Sequence, residues 1–377
     1  MSMHELLNVL YVQTQGAVLH LDHDTVKVEV ERETRLRVPL LRLSGIVLVG
    51  QVSITPFLIQ RCAEDGRNLV WLDRNGRFKA RVEGATRGNV LLRRAQHLAL
   101  SDAERRLDIS RQIIGAKIQN SRQVLMRATR EATTEDDKLA LSDAAAHIAL
   151  VLGRLHAART LDEARGVEGE VARAYFGVFG YMVRVDRDNF SLDGRTRRPP
   201  RDRVNSLLSF LYALVRAECA SALEGVGLDP QVGYLHALRP GRPALALDLM
   251  EEFRPVLADR LAITLVNRKQ LKAEHFETTL GNAVHMTEDG RKAVIVAYQQ
   301  RKEEELLHRV TKMKVPLGLV PHVQARLLAR HLRGDHTALP AIPVSLINSV
   351  RSCGRASLLT NHAVLDAYWR LAVTTYG

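Results

Sequence analysis

Carboxylates and one histidine lie in three segments of the sequence that suit chemistry at phosphate groups. Glu168 is in the first segment, His236 in the second, and Asp248 and Glu251 are in the third. Hard divalent cations prefer oxygen ligands and are often also held by an imidazole. Such an ion polarises a phosphorus–oxygen bond and lowers the pKa of an attacking hydroxyl. The three segments are therefore candidate parts of a metal-dependent site.

Glu168 is flanked by Gly166 and Gly169, and the pattern predicts that a helix starts there. Glycine lets a metal or substrate approach the backbone closely. An acidic residue at this position also stabilises a helix N-terminus without any ligand, so both interpretations remain open. Tyr175 shares the helix face of Glu168. We expect it to pack in the core, although it could also stack on a base.

His236 lies in a segment rich in glycine, proline and arginine, residues 233–243, and not on an apolar helical stripe. An imidazole in such a loop is available as a ligand when it is neutral. The chain has 14 histidines, so an ordinary surface histidine is the alternative interpretation.

Asp248 and Glu251 are three residues apart and therefore share one face of a helix, whereas Glu252 points elsewhere. Two carboxylates on one face repel each other unless a cation lies between them. An acidic surface turn is the alternative. However, the neighbouring residues are apolar, which predicts a buried helix whose carboxylates need partners. These apolar neighbours are Leu245, Leu247, Leu249, Met250 and Phe253.

The charge balance favours a polyanionic partner. Lys and Arg number 54 against 42 for Asp and Glu, which gives a formal net charge of +12. Nucleic acid or an anionic membrane surface would fit this charge, although a basic composition can also be without function. Residues 194–203 hold five arginines beside a diproline. These arginines either contact phosphates or pair with nearby aspartates.

Several classes of protein are disfavoured. The three cysteines are widely spaced without a CxxC motif, so neither a disulfide framework nor a thiolate zinc site is expected. The N-terminus does not resemble a signal peptide. The uncharged run from Leu43 to Gln60 contains glycines and a proline, which indicates a buried strand–turn–helix and not a membrane span. No Walker A, GxGxxG, GxSxG or HExxH motif occurs. We expect a cytoplasmic protein.

The elements that must position these residues change character along the chain. Before about residue 84, short β-favouring runs alternate with turns, with one helix from Thr55 to Asp65 and a tight turn at Asn75–Gly76. Beyond about Asn89, apolar residues recur with helical spacing, and Ser101 to Glu104 match a capping box. The predicted fold class is α+β and multidomain, with a small N-terminal β-rich domain (1–86), a larger all-α catalytic domain (87–335) and an unassigned extension (336–377). The predicted strands are Leu7–Gln13, Ala17–Leu21, Thr25–Val30, Leu36–Leu40, Ile46–Val49, Asn68–Asp73 and Arg77–Glu83.

A series of ordered segments resembles the CRISPR-associated protein 1 family, the integrase of spacer acquisition. The similarity covers about Met3 to Asp335, is greatest to members of subtype I-C, and does not include 336–377. The segments that carry it are Leu72–Phe78, Gly88–Gln96, Gly166–Gly169, Asn205–Tyr212, Leu223–Pro230, Leu235–His236 and Asp248–Pro255.

The resemblance implies that Glu168, His236 and Glu251 ligate Mg²⁺ or Mn²⁺, and that Asp248 is an accessory ligand or a supporting group. It also implies an antiviral-defence endonuclease and integrase that joins the 3′-hydroxyl of a short double-stranded DNA fragment to a CRISPR repeat by transesterification. The implied assembly is a homodimer paired through its β domains, with two such dimers flanking a dimer of CRISPR-associated protein 2.

Two other functions remain open, namely a non-catalytic DNA-binding scaffold of the adaptation complex and an RNA-directed enzyme or binder. The low aromatic content, 5%, disfavours the RNA alternative, because RNA recognition uses stacking on exposed aromatic rings. Charge alone, and not the resemblance, suggests DNA contacts at Arg173, Arg195, Arg197, Arg198, Arg239 and Arg242.

Overall fold

A β-rich N-terminal region precedes a mostly helical region in the computed structural model, which confirms the predicted fold class. The predicted boundary between 86 and 87 stays a prediction, and the predicted extension lies outside the described residues. The structure describes residues 3–6, 9–43, 45–74, 78–82, 84, 90–192, 194–196, 198–279, 281–307 and 314–334.

Two sheets form the β-rich region. One has five strands in the order β1-β2-β6-β8-β9, and the other has four in the order β5-β4-β3-β7. In the five-stranded sheet, β6 runs parallel to both β2 and β8, and the outer strands β1 and β9 are antiparallel to their neighbours. The strands are β1 (Met3–Leu6), β2 (Val9–Val12), β3 (Val18–Asp22), β4 (Thr25–Val30), β5 (Glu33–Pro39), β6 (Gly45–Val49), β7 (Ser53–Ile54), β8 (Asn68–Leu72) and β9 (Phe78–Val82).

The apolar side chains of these strands bury one core together with helix α1 (Pro56–Glu64). Leu10, Leu19, Val28, Ile46 and Leu48 are all fully buried in it. Because alternate residues of a strand point to opposite faces, this burial follows the sequence pattern.

Most local predictions for this region are confirmed. Helix α1 has Thr55 at its N-cap position and Pro56 as its first residue, although the Thr55 side chain makes no capping hydrogen bond. The run from Leu43 to Gln60 contains β6, β7 and the start of α1, as expected. Strands β1 and β7 were not predicted as strands. Strands β8 and β9 pair as the predicted hairpin, whereas its turn, Asn75–Gly76, lies outside the described residues.

The helical region contains nine α-helices among the described residues. The predicted all-α part also includes two short antiparallel strand pairs, β10 (Phe276–Thr278) with β11 (Val284–Met286) and β12 (Glu305–Leu307) with β13 (Lys314–Pro316). A π-helical turn, Arg254–Asp259, joins α7 to α8. The helices are α2 (Val90–Ser101), α3 (Ala103–Glu131), α4 (Glu135–Ala157), α5 (Leu161–Gly177), α6 (Arg203–Gly225), α7 (Ala244–Phe253), α8 (Arg260–Asn267), α9 (Glu288–Glu303) and α10 (Val320–Arg333).

Two predicted helix starts are wrong. Ser101 ends α2, and Asp102 caps α3 by accepting from the backbone N–H groups of Glu104 and Arg105, so the predicted capping box does not form. Helix α5 begins after Thr160, whose hydroxyl accepts from the next turn, and not beside Glu168. Gly166 and Gly169 therefore lie inside α5. In both cases another side chain caps the helix, Asp102 for α3 and Thr160 for α5.

Helix α6 is long and apolar enough to cross a membrane by length and composition, and no other described helix meets that test. More than half of its most apolar window is buried inside the protein, which is typical of a core helix. Leu207, Phe210 and Leu211 pack in the core, and Glu218 accepts a 3.0 Å hydrogen bond from the Tyr11 hydroxyl of β2. Helix α6 thus joins the helical core to the β-rich region.

Candidate active site

Three of the predicted residues face one cavity of about 300 Å³. Glu168 reaches it from the middle of α5, Glu251 from α7, and His236 from the loop that leads into α7. Their segments are far apart in the sequence, and the fold brings them together. The cavity is completed by Arg165, Leu235, Ala237 and Arg242.

Glu251 is the most buried carboxylate that lines the cavity, and it pairs with two cations. Its side chain is 3% exposed, Oε1 lies 2.7 Å from Nη1 of Arg254, and Oε2 lies 2.6 Å from Nζ of Lys117. Burial acts to raise the pKa of Glu251, but the charges of Arg254 and Lys117 outweigh it and lower the pKa to about 2. A buried carboxylate thus stays ionised, which a cation-binding group must do.

Lys117 of α3 links the two glutamates. Its ammonium makes ion pairs with Oε1 of Glu168 and with Oε2 of Glu251. Lys117 is not among the predicted site residues, although the sequence contains a signal for it. Lys117 follows the buried Ile113 and Ile114 by four and three positions, which places it on the inward face of α3.

Asp248 organises the loop that carries His236. The carboxylate is fully buried and accepts from the backbone N–H groups of Tyr234 at 2.6 Å, Leu235 at 3.0 Å and His236 at 2.9 Å. Nδ1 of His236 lies 2.6 Å from Oδ1 of Asp248. A carboxylate only accepts, so Nδ1 must donate, which leaves Nε2 available to a ligand. Nε2 lies 3.9 Å from Oε1 of Glu251.

Gly233 leaves the space that this arrangement needs. A Cβ on Gly233 would lie 2.6 Å from the backbone carbon of Ala244 and 2.7 Å from Oδ2 of Asp248. Any side chain there would push the loop away from α7. The glycine-rich segment noted in the sequence therefore has a packing reason.

A buried network lies behind Glu251. The Arg254 guanidinium lies 4.9 Å from the centre of the Tyr212 ring, and Tyr212 donates to Asp259 at 2.7 Å. Tyr175 of α5 is buried, as expected, and donates to the other oxygen of Asp259 at 3.1 Å. Burial raises the pKa of Asp259 to about 6, against the opposing effect of the two tyrosine donors and Arg254. This network ties the helix of Glu168 to the segment that follows Glu251.

The arginines singled out by charge fall into different settings. Arg195 is occupied within the protein, where it donates to the carbonyl of Thr196 at 2.7 Å and its guanidinium lies 5.2 Å from the centre of the Tyr212 ring. Arg242 lines the cavity, as does Arg165, which the sequence analysis missed and which donates to the carbonyl of Leu235. Arg197 lies outside the described residues. The exposed members are Arg173, Arg198 and Arg239.

The donor set suits a hard divalent cation. Two carboxylates and the Nε2 of an imidazole face one cavity, and a cation, the Lys117 ammonium, already bridges the carboxylates. Within the described part of the chain, no three His, Cys, Asp or Glu side chains are close enough to hold a metal as they stand. The types of ligand fit Mg²⁺ or Mn²⁺. Binding requires the side chains, Lys117 above all, to rearrange.

Comparisons with known proteins identify the family. The family model "CRISPR associated protein Cas1" matches residues 10–300. A CRISPR-associated endonuclease Cas1 of Moorella thermoacetica is 56% identical over 333 residues, which cover 88% of this chain and 97% of the relative. A second such endonuclease, from Rhodospirillum rubrum, is 48% identical over 342 residues, which cover 90% and 98%.

Solved structures show the same fold. A CAS1 protein from Thermotoga maritima aligns with a TM-score of 0.72 at 24% identity and covers 86% of this chain and 97% of its own. A casposase bound to its integration product aligns with a TM-score of 0.77 at 22% identity, over 98% and 100% of the two chains. From the family model and the curated endonucleases together, this chain belongs to the Cas1 family.

Proposed function

We propose that this chain is a metal-dependent DNA endonuclease and integrase of CRISPR spacer acquisition. Its substrates are the 3′-hydroxyl of a short double-stranded DNA fragment and a phosphodiester of the CRISPR repeat. The observation that carries the proposal is the shared cavity of Glu168, His236 and Glu251 in a strongly basic protein. The endonuclease names of the curated relatives support it.

The reaction exchanges one phosphodiester for another. The fragment's 3′-oxygen bonds to phosphorus as the bond from phosphorus to the repeat's 3′-oxygen breaks, and the departing oxygen takes up a proton. No bond energy from ATP is required, in agreement with the absence of a Walker A motif from the sequence. Hydrolysis by the same site uses water as the nucleophile.

Each residue of the site has a distinct task in this proposal. Glu168, Glu251 and Nε2 of His236 hold Mg²⁺ or Mn²⁺, which when bound stabilises charge on the phosphate and favours loss of the nucleophile's proton. Asp248 fixes the orientation of His236 and is a positioning residue. Arg242, at the cavity wall, supplies positive charge to a phosphate.

The partners follow from the same proposal. A solved neighbour is described as a Cas6-RT-Cas1--Cas2 complex, with a TM-score of 0.76 over 92% of this chain and 37% of that chain. We infer that this chain likewise pairs through its β-rich region into homodimers, binds a Cas2 dimer and acts on DNA in the cytoplasm of a prokaryote. We also propose that the chain belongs to subtype I-C, to whose members its sequence has the greatest resemblance. The exposed Arg173, Arg198 and Arg239 are its candidate contacts to DNA phosphates.

A strand-transfer assay tests the proposal. The protein, with and without a Cas2 partner, is mixed with a labelled duplex and a supercoiled plasmid that carries a repeat, in Mn²⁺ or in EDTA. We expect Mn²⁺-dependent joining that Glu168→Gln, His236→Ala and Glu251→Gln each abolish, while DNA binding persists. Glu170→Gln is the matched control, because Glu170 lies on the same helix but pairs with Arg154 at the surface.

The alternatives predict different results. Unchanged joining by Glu168→Gln or His236→Ala would overturn the assigned site. Tight DNA binding without joining under any metal would favour the non-catalytic scaffold of the adaptation complex. Preference for RNA over DNA of the same sequence would favour the RNA-directed alternative.

A further inference from the structure

The Lys117 ammonium lies between the two carboxylates that line the cavity. It pairs with one oxygen of Glu168 and lies 2.6 Å from Oε2 of Glu251, and the Lys117 side chain is only 12% exposed. The two glutamates come from different helices and would repel each other without a positive charge between them. Lys117 therefore acts as an internal counter-ion for the two carboxylates.

A divalent cation that uses the same oxygens cannot share them with this ammonium. A protonated amine has no lone pair for a metal, and two cations close together repel strongly where water is scarce. One of the cations must give way. The competition is between two cations for the same carboxylate oxygens.

Lys117, and not Arg254, is the cation that can leave. The Arg254 guanidinium pairs with Oε1 of Glu251 and is also held over the Tyr212 ring. The Lys117 ammonium makes its two ion pairs with the two carboxylates at the end of a flexible four-carbon chain, and both of those carboxylates line the cavity. An ammonium is also strongly hydrated, which favours its release from the carboxylates toward water.

We propose that Lys117 is an exchangeable counter-ion, which holds Glu168 and Glu251 together until a divalent cation displaces it. The inference rests on the proposed metal site. It predicts that Lys117 weakens metal binding while it stabilises the protein without metal. The two effects are reciprocal. Lys117 lowers the affinity of the site for the metal by the same factor by which the bound metal lowers the affinity of the site for the Lys117 ammonium.

Calorimetric titration of Mn²⁺ into the full-length chain without DNA tests this. We expect Lys117→Met to bind Mn²⁺ at least about fivefold more tightly than wild type, within the usual range of such couplings. We also expect a lower melting temperature in EDTA and a larger gain on Mn²⁺ saturation. Lys138→Met is the matched control, because Lys138 pairs with Glu135 on the surface of α4, 2.6 Å away.

Two further measurements keep the test decisive if Lys117→Met does not fold. Lys117→Arg keeps the charge and adds a bidentate donor, so it should bind Mn²⁺ more weakly than wild type. In wild type, reductive methylation read by mass spectrometry should modify Lys117 faster in Mn²⁺ than in EDTA, with no change at Lys138.

The outcomes separate this inference from the function it rests on. Equal or weaker Mn²⁺ binding by Lys117→Met, tighter binding by Lys117→Arg, or metal-independent labelling of Lys117 would overturn the inference alone, provided that Glu251→Gln loses Mn²⁺. Mn²⁺ binding that survives in Glu251→Gln would instead overturn the proposed metal site.

Discussion

The β-rich region and the helical region bury different kinds of side chain. Among the described residues before α2, Gln13 is the only polar side chain classed as buried. The helical region instead buries carboxylates, amides and cations in quantity. Among its buried charged residues are Asp137, Asp248, Glu251, Glu252, Asp259, Arg301 and Lys302.

This difference reflects how each kind of burial is satisfied. Apolar contact is non-directional, so nearly any apolar neighbour will serve. A buried charge needs a specific partner with good geometry. Several of those partners are distant in the sequence: Lys117 and Glu168 are 51 positions apart, and Tyr175 and Asp259 are 84 apart. The helical region is therefore more sensitive to single polar substitutions.

Asp248→Ala should show the largest effect on stability. It leaves three buried backbone donors without an acceptor, and each such donor costs about 1–3 kcal/mol. We expect a loss of about 5 kcal/mol in the free energy of unfolding, measured by urea denaturation, together with loss of strand transfer.

Asp22→Ala is the matched control, since this carboxylate pairs with Arg37 at the surface of the β-rich region, 2.8 Å away. It should cost little stability, because exposed ion pairs are screened by solvent and contribute little. Similar losses for the two variants would contradict the comparison between the two regions.

Leu48→Ala tests the apolar core of the β-rich region. Leu48 is fully buried in β6, and removing a buried leucine side chain costs about 3–4 kcal/mol. We expect this loss of stability while the folded fraction keeps the wild-type affinity for Mn²⁺, because no polar partner is orphaned. Leu41→Ala, at an exposed site, is the control. Weakened Mn²⁺ binding by Leu48→Ala would show that the two regions are coupled.

Much of the β-rich fold could be predicted from the sequence, because apolar burial depends on the local pattern of apolar residues and not on a specific distant partner. The period-two run from Thr25 to Val30 coincides with β4, and Pro56 opens α1. In the helical region, the helical character of the chain was predictable, but two of the helix starts were not. The start of α5 was misplaced because the glycines around Glu168 were weighed above Thr160, which supplies the capping hydroxyl.

The site itself was predictable only in part. Glu168, His236 and Glu251 were candidates by residue type and spacing, the resemblance implied that they are ligands, and whether they bind metal stays a prediction. The role of Asp248 depends on backbone N–H groups that no side-chain pattern reveals. Lys117 and Arg165 were not predicted because the groups that they contact at the site, two glutamates for Lys117 and the Leu235 carbonyl for Arg165, are distant in the sequence. Only the periodicity around Lys117 indicated that it points inward.

Asp259→Asn should change the pH dependence of stability. The pKa of Asp259 is about 6 against an ordinary value of 3.8, so between about pH 4 and pH 6 the native state binds more protons than the unfolded state. The stability that protonated Asp259 contributes is complete at about pH 4 and lost as pH rises through 6.

The groups that face Asp259 are Tyr175, Tyr212, Arg254 and Arg195. Relative to Asp259→Asn, wild type should lose roughly 2–3 kcal/mol between pH 4 and pH 7, as measured by urea denaturation at each pH. If the stability of wild type relative to Asp259→Asn stayed constant or increased between pH 4 and pH 7, the folded state would not raise the pKa of Asp259.

Tyr212→Phe should have the smallest effect, because it removes a single donor from Asp259 and keeps the ring under Arg254. One such hydrogen bond is worth about 1 kcal/mol, which a melting curve resolves. Since the ring still holds Arg254 against Glu251, Mn²⁺ affinity and strand transfer should stay close to wild type. Tyr212→Leu, which removes the ring as well, should weaken both. If Tyr212→Phe instead lost strand transfer with little change in melting temperature, the hydroxyl would act on DNA, and this buried network would belong to the chemistry and not to its support.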